Sequence, residues 1–260
     1  FELSGESCIP GINVTEFETI FEEQAVERRL QEDVAFDSRT LFAAEDGTFS
    51  FGSVVPSMLP EQGMAERFKL VNPNKIKAVV DLEVDGNECF AVHPTTVDVP
   101  SHESRYVTMY FKPTGMEKYQ GKLTATVRDG TDPNTNALTF ALLGEGTFPC
   151  ITMKEPVTVL EDGVLDIDFG RVQAGKSQRR RVTFVNNGVV PATVVFKTPA
   201  HQAFSFTASS SRSVTVKPGE SSTTYVTFAP AVAREEEFKC EIQMKVLRND
   251  FDITRVRIHR

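Results

Sequence analysis

The sequence predicts an all-β chain of two tandem antiparallel β-sandwich domains, on three observations. Short runs of alternating apolar and polar residues recur, with turn signals roughly every 8–12 residues, which is the pattern of half-buried strands. The same ordered series of runs occurs twice. A seam phrase is also repeated: FALLGEGTFPCI over 140–151 echoes FELSGESCIPGI over 1–12. Self-similarity of this kind marks an array of structural repeats. It divides the chain into a tail of a preceding repeat (1–12), an acidic linker or insertion (13–40), a first domain (41–148) and a second domain (149–260) whose last strand is truncated.

Over 13–34 no counterpart exists in the second repeat. Thr15 and Glu18 form a capping-box pattern, with Phe17, Ile20 and Phe21 at i, i+3 and i+4, which favours a short amphipathic helix. Thr19-Ile20-Phe21 followed by polar alternation reads equally as a strand. Glu16, Glu18, Glu22, Glu23 and Glu27 with Arg28 and Arg29 make a solvated face or, alternatively, a docking element for a partner.

The first repeat opens with Phe49-Ser50-Phe51-Gly52-Ser53-Val54 as an edge-like strand, echoed by Asp168-Phe169-Gly170-Arg171-Val172. Phe68-Lys69-Leu70-Val71-Asn72 and Val182-Thr183-Phe184-Val185-Asn186 alternate and stop on an Asn suited to a tight turn. Ala78, Val80 and Leu82 answer Ala192, Val194 and Phe196, and Phe90 answers Phe204. Val97-Asp98-Val99-Pro100 matches Val214-Thr215-Val216-Lys217-Pro218. Val107, Met109, Phe111 and Pro113 match Thr224, Val226, Phe228 and Pro230, and Leu123, Ala125 and Val127 match Ile242, Met244 and Val246. The closing run 138–142 is answered by Val256 and Ile258. Pro56, Pro60, Pro100, Pro191 and Pro218 block edge pairing. The repeats differ mainly in loop length, over 52–68 in the first and 204–214 in the second.

Composition narrows the function classes. The 260 residues include 40% hydrophobic and 25% charged, enough for roughly two cores. A net charge of −8 disfavours nucleic acid, whose backbone needs clustered Lys and Arg. No apolar run approaches the ~18–20 residues of a membrane span. Cys8 and Cys150 sit at equivalent seam positions whereas Cys89 and Cys240 do not, which predicts free thiols in a reducing compartment rather than a disulfide in each repeat. The lack of Trp removes the Cys, Trp, Cys core of antibody-type domains.

Catalytic chemistry finds no constellation, so no catalytic residue, metal ligand, cofactor or small-molecule substrate is assigned. Cys89 and His93 are four apart with His102 beyond, but strand positions four apart lie ~13 Å from each other. His201 and His259 have no evident partners. Ser209-Ser210-Ser211 lies in a polar loop with no His near it in sequence, and Gly144-x-Gly146 is a strand exit lacking the remainder of a phosphate loop. Glu45-Asp46-Gly47 and Glu161-Asp162-Gly163 are turn chemistry. One charged cluster stands apart: Arg171, Lys176, Arg179, Arg180 and Arg181 around the first strands of the second repeat. They read either as a solvated sheet edge that deters mispairing or as a contact for an acidic partner.

On the twice-ordered motifs the chain resembles the ASH class of immunoglobulin-like domains, related to the major sperm protein (MSP) fold. The carrying residues are Phe51-Gly52 and Phe169-Gly170, Val71-Asn72 and Val185-Asn186, Pro218-Gly219-Glu220, Phe111-Lys112-Pro113 and Phe228-Ala229-Pro230, and Gly144-Glu145-Gly146. Ser101-His102-Glu103 departs from the Pro-Gly-Glu turn in the first copy. The resemblance implies a non-enzymatic structural protein of the ciliary and flagellar axoneme, in the central pair apparatus that serves cilium movement. Its implied partners are other central-apparatus proteins, with microtubules as a further candidate, and no nucleic acid or membrane. Two rivals remain: an intracellular recognition module that binds acidic motifs as MSP-type domains do, and an extracellular adhesion array with bonded cysteines and a glycan on Asn13.

Overall fold

The computed structural model describes residues 1, 5–30, 39–56, 63–155, 158, 164–197, 199–207, 213–233, 237–249 and 253–259. The chain divides into two units, Phe1–Thr147 and Phe148–Arg260. Pro60, Glu161-Asp162-Gly163, Ser209-Ser210-Ser211 and parts of both length-variable loops lie outside the described residues.

Among the described residues of the first unit a helical turn, α1 (Phe17–Ile20), precedes ten strands: β1 (Ala25–Glu27), β2 (Leu41–Ala43), β3 (Thr48–Val54), β4 (Met64–Val71), β5 (Ala78–Gly86), β6 (Phe90–His93), β7 (Thr96–Val99), β8 (Ser104–Phe111), β9 (Lys118–Val127) and β10 (Ala137–Gly146). They form a sheet of order β1-β2-β3-β10-β9-β5-β7 and a second of order β4-β8-β6. The second unit has β11 (Thr152–Glu155), β12 (Leu165–Asp168), β13 (Gln178–Val185), β14 (Ala192–Phe196), β15 (Phe204–Thr207), β16 (Ser213–Val216), β17 (Ser221–Phe228), β18 (Lys239–Val246) and β19 (Ile253–His259). Its sheets run β12-β19-β18-β14-β16 and β11-β13-β17-β15. Each unit is an immunoglobulin-like β-sandwich, and β3 to β10 recur in order as β12 to β19.

Pairing is antiparallel except where the first and last shared strands meet side by side: β3 runs parallel to β10 and β12 to β19. The short β1–β2 pair is also parallel. In the second unit the edge strand is β12, which ends at Asp168 so that Phe169-Gly170-Arg171-Val172 of the expected strand follow it; in the first, β3 lies between β2 and β10 and is no edge. The reason is the stretch before it, which folds back so that β2 pairs with Thr48 to Ser50 of β3 and β1 pairs with β2.

That stretch, expected as an acidic linker or insertion, packs within the first unit in its described part. Of the two secondary structures suggested for Thr19-Ile20-Phe21 the helix is found, ending at Ile20 with Phe21 as its cap, and a strand, β1, begins only at Ala25. Ile12, Ile20 and Phe21 are fully buried in the first core, and Phe21 stacks on Phe42 with ring centroids 4.1 Å apart. The described part of 13–40 is therefore a built-in layer of the first sandwich. Its turn is set by Asn13 in place of the Thr15/Glu18 capping box: the Asn13 side-chain oxygen accepts from the Thr15 and Glu16 N–H groups at 3.1 Å each. An Asn side chain reaches a backbone two residues on more readily than Thr15 reaches the helix start.

Each core is filled by alternate side chains of both sheets. In the first, Phe49, Phe51, Phe68, Phe111 and Phe140 are buried with Val80, Leu82, Val107 and Leu123; in the second, Phe169, Phe184, Phe228, Val194, Ile242 and Ile258 are. The Gly pair at the end of β10 has a packing cause. A Cβ on Gly144 would stand 2.4 Å from the Phe111 ring, and one on Gly146 would stand 1.8 Å from the Gly115 carbonyl oxygen. The turn after β16 uses Gly219 at φ +74°, and the first unit builds the same turn with His102 at φ +58°. In each, the following Glu N–H bonds back across the turn, to Pro100 at 3.2 Å and to Lys217 at 3.0 Å.

Candidate partner-binding surface

The Val-Asn turns fix the strands that carry the charged cluster. Asn186 is fully buried, and its side chain donates to the carbonyls of Val190 (2.8 Å) and Val216 (2.9 Å) while accepting from the Gly188 N–H (2.9 Å). Asn72, equally buried, makes the matching bonds to Ile76 (2.8 Å), Val99 (3.0 Å) and the Asn74 N–H (2.9 Å). These pins set β4 and β13 in equivalent register, so Arg67 and Arg181 each lie five positions before the Asn.

The structure brings together only part of the sequence-expected cluster. Arg179 and Arg181 alternate on the outward face of β13, opposite Thr227 and Tyr225 of β17. Arg180 has the parity of the buried Val182 and Phe184 but lies beyond the packed layer and is exposed. Arg171 and Lys176 are exposed on the connection between β12 and β13, where Gly175 takes φ +79°.

Arg181 is already engaged. Its guanidinium holds Glu155 of β11 through two contacts, Nε to Oε2 at 2.6 Å and Nη2 to Oε1 at 2.9 Å, and the Thr183 hydroxyl donates to the same carboxylate at 3.1 Å. The Arg181 hydrogen bond, followed by that of Thr183, lowers the Glu155 pKa below the usual carboxylate value. Arg171, Lys176, Arg179 and Arg180 make no ion pair among the described residues. The cluster is thus one satisfied Arg and four exposed cations.

Sequence reasoning missed the counterpart in the first unit. Arg67 holds Glu23, Lys69 holds Glu22, and the Tyr106 hydroxyl donates to Glu22. Arg67 also lies over the Tyr106 ring, 4.9 Å from its centroid. Lys69 first, then Tyr106, lowers the Glu22 pKa. Arg28 and Arg29 both reach Glu45. Glu22 and Glu23 of the acidic run therefore meet cations of their own domain, and the signal for it was the shared five-residue offset of Arg67 and Arg181 from the Asn turns.

None of the four cysteines forms a disulfide; Cys89 and Cys240 are buried and Cys150 is exposed. Among the described residues no three His, Cys, Asp or Glu side chains converge as metal ligands, and no helix is long and apolar enough to cross a membrane. His102 sits in its turn, His93 on β6, and His259 bonds Asp166 at 3.0 Å.

A pair of repeated sandwiches with buried Asn pins and charged outer faces defines an immunoglobulin-like binding or structural module. Residues 156–251, most of the second unit, match the family model described as ASH: Abnormal spindle-like microcephaly-assoc'd, ASPM-SPD-2-Hydin. Over 210 residues, 74% of this chain, the sequence is 30% identical to the Homo sapiens hydrocephalus-inducing protein homolog and 28% identical to the Mus musculus hydrocephalus-inducing protein. The chain spans 4% of the length of each. Similar solved structures include the ASH / PapD-like domain of human CEP192, at TM-score 0.29 and 19% identity over 36% of this chain and 80% of that one. Another is WR4, an MSP family member of C. elegans, at TM-score 0.27 and 11% identity over 40% and 94%.

Proposed function

We propose that this chain is a non-enzymatic structural and protein-interaction segment of a tandem-repeat scaffold in the ciliary or flagellar axoneme. There it serves the central pair apparatus and cilium movement. The observation that carries this reading is one sandwich built twice, similar across both copies to hydrocephalus-inducing protein. Stacked small domains present many rigid surfaces and need no catalytic pocket. Its partners are other central-apparatus proteins, with microtubules as a further candidate, and its location is cytoplasmic, within the axoneme. The test is to localise the tagged parent protein in motile cilia and cross-link it in place. Cross-links from these domains to central-apparatus proteins support the reading, and a parent protein excluded from the axoneme refutes it.

A second reading is favoured by Arg171, Lys176, Arg179 and Arg180, which are exposed and lack an acidic partner among the described residues. In it the second unit recognises acidic motifs of an intracellular partner. A Glu-rich peptide retained by the protein and released by Arg179→Glu with Arg180→Glu supports it; retention unchanged by both substitutions refutes it.

A further inference from the structure

Two free strand edges face each other at one side of the first sandwich. On β5 the Val79 carbonyl accepts from Arg128 of the β9 side at 2.8 Å, while the Leu82 N–H donates to Thr95 at 2.8 Å on the opposite side. Backbone groups alternate in direction along an antiparallel strand, so those of Val84 point away from β9. β7 pairs with β5 only over 78–81, and beyond Leu82 no strand takes that side among the described residues. On β6 the Cys89 carbonyl accepts from Lys112 at 2.8 Å, which turns Ala91 and His93 toward β8 and leaves the N–H and C=O of Val92 on the free side.

Between these edges lies an open cleft of about 690 Å³. Val84 and Val92 pack against the core and are half-exposed within it. Glu83 and Asp85, on the outer face of β5, are exposed and form no ion pair among the described residues; Lys122 of β9, in register with Asp85, lines the same cleft, so an incoming cation meets Glu83 most directly. Free edges are normally blunted by Lys, Pro or a bulge. Leu82-Glu83-Val84-Asp85-Gly86 contains neither Lys nor Pro, and its two carboxylates repel the same edge of a second copy while attracting a cationic strand.

We propose that this cleft binds an extended basic segment of another polypeptide, which adds as a strand to the free half of β5. Main-chain bonds to Val84 supply affinity. Alternate side chains of the incoming strand supply specificity, apolar ones resting on Val84 and Val92 and Lys or Arg lying over Glu83 and Asp85. The inference stands apart from the axonemal assignment and from the basic cluster of the second unit.

The whole chain, ¹⁵N-labelled, is titrated with a peptide of about nine alternating Val and Lys residues, a usual strand length. A Val/Glu peptide of the same length and a scrambled Val/Lys peptide serve as comparators. The expected result is binding of the alternating Val/Lys peptide, with slowed hydrogen exchange at the Val84 and Val92 amides. Glu83→Lys with Asp85→Lys lowers its affinity at least about tenfold and transfers preference to the Val/Glu peptide, since charge complementarity sets partner choice. Val84→Pro removes the free-side donor without touching the bonds to β9 and also weakens binding. The proposal is overturned if the Val84 and Val92 amides are unchanged at millimolar peptide. Equal binding of the Val/Glu or scrambled peptide overturns it, as does indifference to the charge reversal.

Discussion

Replacing Asn186 with Ala removes three hydrogen bonds at a fully buried position, and the magnitude follows from what is left behind. The Val190 and Val216 carbonyls and the Gly188 N–H each lose this partner in a space that a methyl group cannot satisfy. A buried polar group left unpaired costs about 1–3 kcal/mol, and carbonyls with a second lone pair fall at the low end. The sum is about 3–5 kcal/mol, a large share of the roughly 5–15 kcal/mol that holds a domain folded. Hydrogen exchange read by mass spectrometry on peptides from β13 and β17 measures it, because exchange reports each domain separately. The β4 and β8 peptides are the internal control, and Asn72→Ala should reverse the two roles. A loss below about 1 kcal/mol in the second domain would refute the reasoning, since it would mean the turn holds without its Asn.

Other outcomes follow from the same structure. Phe21→Ala should destabilise the first domain by about 3–5 kcal/mol, as for a fully buried aromatic, and a near-neutral result in denaturant titration would show that 13–27 is a linker after all. Gly146→Ala, which sets a methyl against the Gly115 carbonyl, should cost about 1–3 kcal/mol in the same assay, and an unchanged midpoint would contradict the packing. The Glu155 pKa is lowered in the folded state, chiefly by Arg181, so its contribution is present above the unfolded carboxylate pKa of about 4.3 and is lost as pH falls through the lower folded value. The stability gap between the native protein and Glu155→Gln should therefore be constant near neutrality and close below about pH 4, within the small range of exposed ion pairs. A gap that widens on acidification would reverse the assignment.

The strands were legible because a half-buried strand must alternate, and Phe68-Lys69-Leu70-Val71 and its counterpart do so without interruption. Repetition added what alternation could not: Asn72 and Asn186 at the same point in two series identified a turn whose three bonds recur in both units. Less was readable where the environment has no period. β3 is an interior strand because β2 pairs along its edge and β1 pairs with β2 in turn, and nothing in Phe49-Ser50-Phe51 announces those neighbours. The parallel pairing of β3 with β10 and of β12 with β19 is a matter of topology, invisible to local pattern. In the charged cluster, adjacency in sequence suggested one patch, but strand parity sends Arg180 to the other side from Arg179 and Arg181, and Glu155 takes up the last of these.

The comparison of β4 with β13 also separates charges the fold uses from charges it does not. At the shared position five residues before the Asn, both units place an Arg whose partner comes from the chain entering the sandwich, Glu23 for Arg67 and Glu155 for Arg181. One and two positions earlier the units diverge. The first has Glu66, which accepts from Gln24 at 2.7 Å, and Ala65; the second has Arg180 and Arg179, with no acid beside them among the described residues. Since the first sandwich is built without cations there, the second does not need them for its fold. Arg179→Ala with Arg180→Ala should accordingly leave stability within about 0.5 kcal/mol, as exposed changes do. If these cations serve an acidic partner, the same pair should weaken its capture and make the remainder less salt-dependent. A clear loss of stability in the double variant would show that the two Arg residues belong to the architecture, and the case for a contact surface at that edge would fall with it.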